Sequence, residues 1–376
     1  MDIKRFFFNA LIDHQKNYPR DPLDVDHLRK EVTRFGKMLA FFGSFSKGAE
    51  IDVIDREGIP CWHIADHADH LYPQHFEACP RESGELGRRL PASAGTGSGE
   101  PDERSDLRDQ GRIPKASLPP QKRGTPDPRL RGDKTRNAKG KHTIFYLHGG
   151  GYIYNFDHVG PLYKPFLTHL AEVCSAEIWA PDYRVAPEHP FPAALDDVYK
   201  AYVSLVEEDP GVAQTLCLMG DSAGGGLALA LLLKLRDQNM PLPRTAVTLS
   251  AWTDLAITGD SIITRADKDP FFTESMLRGV ATHYVQQHAP TAPLISPLYG
   301  NYEGLPPLMM IVGGREVLYD DTLRVAQKAR EAGVQVHLDI APDMVHSFPL
   351  FFNILPEGRE AIDRIAAWAW TVRAIS

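Results

Sequence analysis

The sequence predicts an α/β fold in which a mostly parallel sheet is flanked on both faces by helices. Three observations carry that prediction. Apolar runs of strand length follow one another from residue 142 onward: "TIFYLHGGG", "AEIWAPDYR", "TLCLMGDSAGG", "TAVTLSAW", "PLMMIVGG" and "VQVHLDIAPD". Their apolar residues are continuous rather than alternating, the pattern of strands buried on both sides. Stretches of helical period such as "PFPAALDDVYKAYVSLVEED" and "LALALLLKLRD" separate the runs, as helical crossovers between parallel strands would.

Residues 1–50 read as helical. Asp21 can cap a helix and Pro22 suits its first position. Leu28, Val32, Phe35, Leu39 and Phe42 then recur in steps of four and three on one apolar face. Residues 51–79 supply the first strands, because "AEIDVIDREGIPCWHIAD" has the form of a short hairpin. Residues 80–141 are dominated by Gly, Pro, Ser, Arg and Lys, and no aromatic residue stands between Phe76 and Phe145. Such a stretch cannot bury enough surface to offset the ordering of its backbone, so it reads as a disordered insertion. It holds about 15 basic and about 9 acidic residues, roughly +6, which leaves the rest of the chain near −14 (−8 − 6). A tolerated surface loop explains it most simply, because a long insertion costs little closure entropy. A basic arm for an anionic surface and an out-of-frame stretch of the gene are the other readings. Residues 142–376 form the main domain, interrupted at about 255–287 by an excursion that reads as a second helical piece above the sheet.

Composition narrows the classes. At 43% hydrophobic and 24% charged residues the chain looks like a soluble globular protein, and 376 residues accommodate one large domain with decoration. A net charge of −8 argues against nucleic acid as a partner. Cys61, Cys79, Cys174 and Cys217 are widely spaced without a CxxC pair, as expected of reduced thiols in a cytoplasmic protein. The apolar patch from Phe6 to Ile12 is too short for a signal segment, and no run approaches the roughly 20 apolar residues of a membrane span. "WHIADHADH" gathers His63, His67 and His70 with Asp66 and Asp69, but a surface loop explains it better than a divalent metal, and no metal or cofactor is expected.

The sharpest chemical signal is Gly220-Asp221-Ser222-Ala223-Gly224, a G-x-S-x-G between an apolar strand and an amphipathic helix. That context makes it a nucleophile elbow. A serine on a tight strand-to-helix turn has a strained backbone, and flanking side chains larger than hydrogen would clash. "LHGGGY" adds three consecutive glycines at a strand end, which would weaken the strand unless the backbone needs unusual dihedrals there. They can aim the amides of Gly150 and Gly151 at a carbonyl oxygen, with the amide of Ala223 completing an oxyanion hole. His148, Gly149 and Asp221 support these two motifs. A phosphate cradle is the competing reading of the glycines, but no G-K-[ST] follows them. "APDMVHSFPLF" puts His346 in a loop after the last strand, where a base for Ser222 belongs. "GGREVLYDD" offers Glu316, Asp320 and Asp321 as the third group. Asp320 and Asp321 suit the N-terminus of the following helix, whereas Glu316 lies in the turn just past the strand. Glu316 is therefore the expected acid, accepting the Nδ1–H of His346 so that Nε2 is free for the serine proton.

In "HGGGY", "DYRVAPEHPFPAALDD", "GDSAGG", "GGREVLYDD" and "DMVHSF", in that order, the chain resembles the hormone-sensitive-lipase-like esterases of the α/β-hydrolase superfamily from Lys141 to the C-terminus. The resemblance implies an α/β-hydrolase fold with a small helical cap built from the N-terminal segment and the excursion. It also implies hydrolysis of short or medium acyl esters, and a bracing role for Asp182, Arg184 and Glu188. The family more often has Asp where Glu316 stands, and the insertion before residue 142 is not typical of it. Phe6, Phe7, Phe8, Phe41 and Phe42 fit helix packing, with an acyl tunnel or a lipid contact as the other uses. An amidase or a deacetylase of aryl acetyl groups, or a non-catalytic ligand-binding protein, is the alternative on the same fold. A homodimer through an edge strand or terminal helix is the assembly such folds allow.

Overall fold

Strand pairing follows from which runs are apolar on both faces. A computed structural model describes residues 24–26, 28–30, 32–33, 51–65 and 142–372. Asp21, Pro22, the N-terminal phenylalanines, Phe41 and Phe42, the insertion at 80–141, and His67 and His70 lie outside the described residues. The hairpin pairs β1 (Ile51–Arg56) with β2 (Ile59–Ile64) across Glu57 and Gly58, both with positive φ, as a two-residue turn of the right hand requires. The apolar runs become β3 (His142–Leu147), β4 (Ala176–Pro181), β5 (Leu216–Asp221), β6 (Thr245–Leu249), β7 (Leu308–Gly313) and β8 (Val336–Ala341). Every residue of β5, β6 and β7 is buried, whereas β8, at the sheet edge, has only partly buried and exposed residues.

The sheet order is β1-β2-β4-β3-β5-β6-β7-β8, antiparallel at β1/β2 and β2/β4 and parallel from β4 onward. The long helices are α1 (Phe156–Cys174), α2 (Ala193–Glu208), α3 (Ser222–Asp237), α4 (Glu274–Val285), α5 (Tyr319–Glu331) and α6 (Pro356–Ala369). The chain steps from β3 through α1 to β4 in one direction, then from β4 through α2 to β5 in the other. Right-handed crossovers put α1 on one face and α2, α3 and α5 on the opposite one. Contacts agree: α1 packs with α6, and α2 with α3. The reversal leaves a crevice between the carboxyl ends of β3 and β5, which pair directly at Leu147 and Gly220. The glycine loop leaves β3 and the serine leaves β5 at that crevice. Topology therefore brings the two motifs together.

The "DYRVAPEH" stretch braces the structure as expected. Asp182 accepts the amide of Phe156 at 2.9 Å, opening α1, and Arg184 donates to buried Asp197 of α2 at 2.6 and 2.8 Å. No helix among the described residues is long and apolar enough to cross a membrane.

Candidate active site

Ser222 is the first residue of α3 and has φ 54°, the left-handed region that costs a non-glycine residue about 1–2 kcal/mol. Its neighbours explain the motif. A Cβ on Gly220 would overlap the Gly224 carbonyl, and one on Gly224 would overlap the carbonyls of Leu147 and His148. The turn closes only because both positions lack a side chain. Strain is tolerated here because β5 and α3, buried almost throughout, over-determine the turn between them.

Beyond β3, Gly150 and Gly151 take φ 123° and 60°, and Tyr152 follows at 62°. The Gly150 carbonyl accepts the amides of Ile153 and Tyr154 at 3.0 and 3.1 Å, while the Gly150 and Gly151 amides themselves have no acceptor among the described residues. The loop is held from beneath. Gly149 N–H donates to Tyr163 OH at 2.7 Å and to Asp221 Oδ1 at 2.9 Å, and the hydroxyls of Tyr146 and Tyr163 both donate to Asp221 at 2.8 Å. Burial pushes the Asp221 carboxyl up, against the hydrogen bonds from Tyr163 and Tyr146 that favour its charged form. Asp221, adjacent to the serine, thereby ties the elbow to the glycine loop. His148 stacks on Tyr183 at 4.2 Å with its Nδ1 2.7 Å from the Gly149 carbonyl. Burial lowers its pKa to about 4, so it is a neutral donor there.

At the ends of β7 and β8 the structure separates the three carboxylates. Glu316, fully buried, lies 2.7 Å from His346 Nδ1 through Oε2. Its Oε1 accepts Ser250 Oγ–H at 2.8 Å and the Gly313 amide at 2.6 Å. Ser250 Oγ in turn accepts the Ser347 amide at 2.9 Å, so one hydroxyl fixes both the acid and the residue after the histidine. Asp320 and Asp321 occupy the first turn of α5, as expected, and their carboxylates point elsewhere. Asp320 accepts the Ser261 amide at 2.7 Å, and Asp321 accepts those of Thr253 and Asp254 at 2.7 and 2.8 Å.

Ser222, His346, Gly150 and Gly151 line one cavity of about 150 Å³. His346 Nε2 is buried and has no hydrogen-bond partner among the described residues, so the serine–histidine bond is not made; such bonds commonly tighten only when substrate binds. Burial by itself would lower the His346 pKa, but the charge and hydrogen bond of Glu316 outweigh it, and the net shift is upward. The excursion supplies part of the cavity roof: the ring of Phe272 meets the imidazole edge-on, 4.8 Å between centroids.

Sequence reasoning missed several residues that position these groups. Asp269 is buried in the excursion, where Oδ1 accepts the amides of Phe271 and Phe272 and Oδ2 accepts the amide of Val317, next to Glu316. It holds the aromatic roof and the acid turn in one grip, and burial pushes its carboxyl up to about 6. Ser250, Tyr146 and Tyr163 were also missed. Of the histidine cluster only His63 falls among the described residues: it lies in β2, stacked on Trp179 at 4.1 Å, and Asp66, His67, Asp69 and His70 lie outside them.

A family model described as the α/β hydrolase fold matches residues 144–350. The chain is 40% identical over 231 residues to an acetyl-hydrolase of Streptomyces hygroscopicus, covering 61% of this chain and 75% of the relative. It is 32% identical over 245 residues to an esterase of Acinetobacter venetianus, covering 64% and 78%. Among solved structures, an esterase of the bacterial hormone-sensitive lipase family superposes with a TM-score of 0.72 at 28% identity, over 98% of this chain and 97% of that one.

Proposed function

The chain belongs to the α/β-hydrolase fold family, and from that premise we propose that Ser222, His346 and Glu316 are its catalytic residues. The protein is a carboxylic ester hydrolase. In the proposed mechanism Ser222 Oγ attacks the ester carbonyl carbon while His346 Nε2 takes its proton. The amides of Gly150, Gly151 and Ala223 receive the oxyanion, and the positive end of α3 adds to their field. His346 then returns the proton to the departing alkoxide, leaving an acyl-serine. Water, deprotonated by the same nitrogen, releases the acid and restores the hydroxyl.

The observation that carries this assignment is the buried 2.7 Å contact of His346 Nδ1 with Glu316, which leaves Nε2 unpartnered at a cavity that Ser222 also lines. A fluorophosphonate should modify the protein once, on the tryptic peptide carrying Ser222. Modification of a different serine in the intact protein would overturn the assignment.

The raised pKa of His346 fixes the sign of a second expectation. Only the neutral imidazole can accept the serine proton, so kcat/KM should fall as pH drops through the His346 pKa. That limb should lie above the ordinary value of 6.5. A pH–rate profile on a soluble ester tests it, and a limb below 6.5 would mean that burial outweighs the Glu316 carboxylate at His346.

The small, mostly apolar cavity favours uncharged esters with short to medium acyl chains. We assign the cap to the N-terminal segment and the excursion at 255–287, since Leu28, Val32, Phe271, Phe272 and Met276 all face that cavity. Cys61, Cys174 and Cys217 are free and buried, in keeping with a cytoplasmic location, and the exposed edge strand β8 is compatible with a homodimer.

A further inference from the structure

Residues 25–26, 28–30 and 32–33 are helical, and one side chain from them reaches two separate parts of the main domain. Arg29 Nε donates to the carbonyl of Ile153 at 2.9 Å and Nη2 to the carbonyl of Ala186 at 3.0 Å. Nη1 and Nη2 also form a two-pronged pair with Glu188, at 2.7 and 2.8 Å. The guanidinium is mostly buried and the carboxylate about half exposed. Bidentate pairing fixes orientation as well as distance, which a lysine at this position could not do.

What the guanidinium ties together matters for the cavity. Ile153 stands three residues past Gly150 and donates its own amide to the Gly150 carbonyl, so its backbone is continuous with the proposed oxyanion loop. Ala186 donates its amide to the Tyr152 carbonyl at 2.8 Å, joining the same loop to the stretch that carries Glu188. Leu28 and Val32, beside Arg29 on the helix, line the cavity, and Leu28 is only 1% exposed. Leu28 and Val32 carry no polar group, so the directional hold on this wall comes from the arginine. The hydrogen bond from Arg29 depresses the Glu188 carboxyl to about 2, so the pair is ionised at neutral pH.

We propose that Arg29 and Glu188 form a latch that seats Leu28 and Val32 as a wall of the substrate cavity, and that this latch determines the acyl-chain length the enzyme accepts. The inference rests on the cavity being the ester site. Closed, the wall keeps the cavity small and complementary to short acyl groups. Released, it retreats, so that short acyl groups lose contacts and longer ones gain room.

The test is kcat/KM for p-nitrophenyl acetate, butyrate, hexanoate and octanoate with the full-length protein and four variants. Arg29→Gln should raise the octanoate-to-acetate ratio by roughly tenfold or more, the scale on which apolar pockets discriminate chain length. Glu188→Gln should move the ratio the same way by less. The double variant should shift it no further than Arg29→Gln alone, because both remove one interaction. Val32→Ala leaves the latch in place and opens the wall directly, so it too should raise the ratio. Equal loss on all four esters in Arg29→Gln would make the arginine merely structural and overturn the proposal, as would an unchanged ratio in Val32→Ala. Fluorophosphonate labelling of Ser222 reports whether each variant is folded; if Arg29→Gln is not labelled, Glu188→Gln and Val32→Ala decide. A wild type inactive on every ester is a different failure, that of the ester-site reading, and is seen before any variant is made.

Discussion

Ser222→Ala should abolish ester hydrolysis, with kcat on p-nitrophenyl acetate or butyrate falling by about 10⁶-fold and fluorophosphonate labelling lost. The size of the effect follows from the mechanism: without Oγ no acyl-enzyme forms, and only background attack by water in the oxyanion cradle remains. The substitution is well suited to the question. Alanine keeps the Cβ, so the strain at φ 54° is the same as with serine, and none of the side-chain hydrogen bonds around the site is made by the Ser222 hydroxyl. Stability should therefore change by no more than about 0.5 kcal/mol, and a thermal melt beside the assay separates lost chemistry from lost fold. Undiminished turnover would mean that another group attacks the carbonyl.

Parts of this site could be read from sequence because their physical causes are local. The elbow has a five-residue signature: the strained serine has glycine two positions before and two after, because a Cβ on Gly220 would strike the Gly224 carbonyl within the turn and one on Gly224 the carbonyls of Leu147 and His148 at the end of β3. The inner strands were legible because each is buried on both faces and so is mostly apolar, without alternation. Glu316 could be preferred over Asp320 and Asp321 because it lies in the turn just past the strand, whereas the two aspartates suit the N-terminus of the following helix. The supports have no such signature. Tyr163 meets Asp221 across 58 positions, Ser250 meets Glu316 across 66, and Asp269 meets Val317 across 48. Each is a common residue type in an unremarkable local context, and its role exists only once the sheet order has set it beside its partner. Arg29 and Glu188, 159 positions apart, are the extreme case. The motif containing Glu188 marks it as structural, but nothing in the N-terminal helix announces which residue it will hold.

Glu316→Gln tests the acid by a route that leaves shape and volume almost untouched. Oε1 of the carboxylate receives two donors, Ser250 Oγ–H and the Gly313 amide, and Oε2 faces His346 Nδ1. A glutamine can satisfy the two donors only with its carbonyl oxygen in the Oε1 place, which turns its NH₂ toward the imidazole. Nδ1 must then act as acceptor, the ring proton moves to Nε2, and the nitrogen that should take the serine proton is already occupied. The flipped amide fares no better, because its NH₂ would confront two N–H and O–H donors. Loss of the carboxylate also removes the charge that stabilises the imidazolium as it forms. The expected fall in kcat is about 10⁴-fold. Asp320→Asn should behave differently: an amide oxygen can still accept from Ser261, and the loss of charge at the start of α5 costs about 0.3–1 kcal/mol of stability. Its kcat should stay within several-fold of wild type. Measuring both variants under one set of conditions makes the ranking decisive: if Asp320→Asn were the more damaging, Glu316 would be only a buried brace and the histidine's partner would have to lie on the following helix.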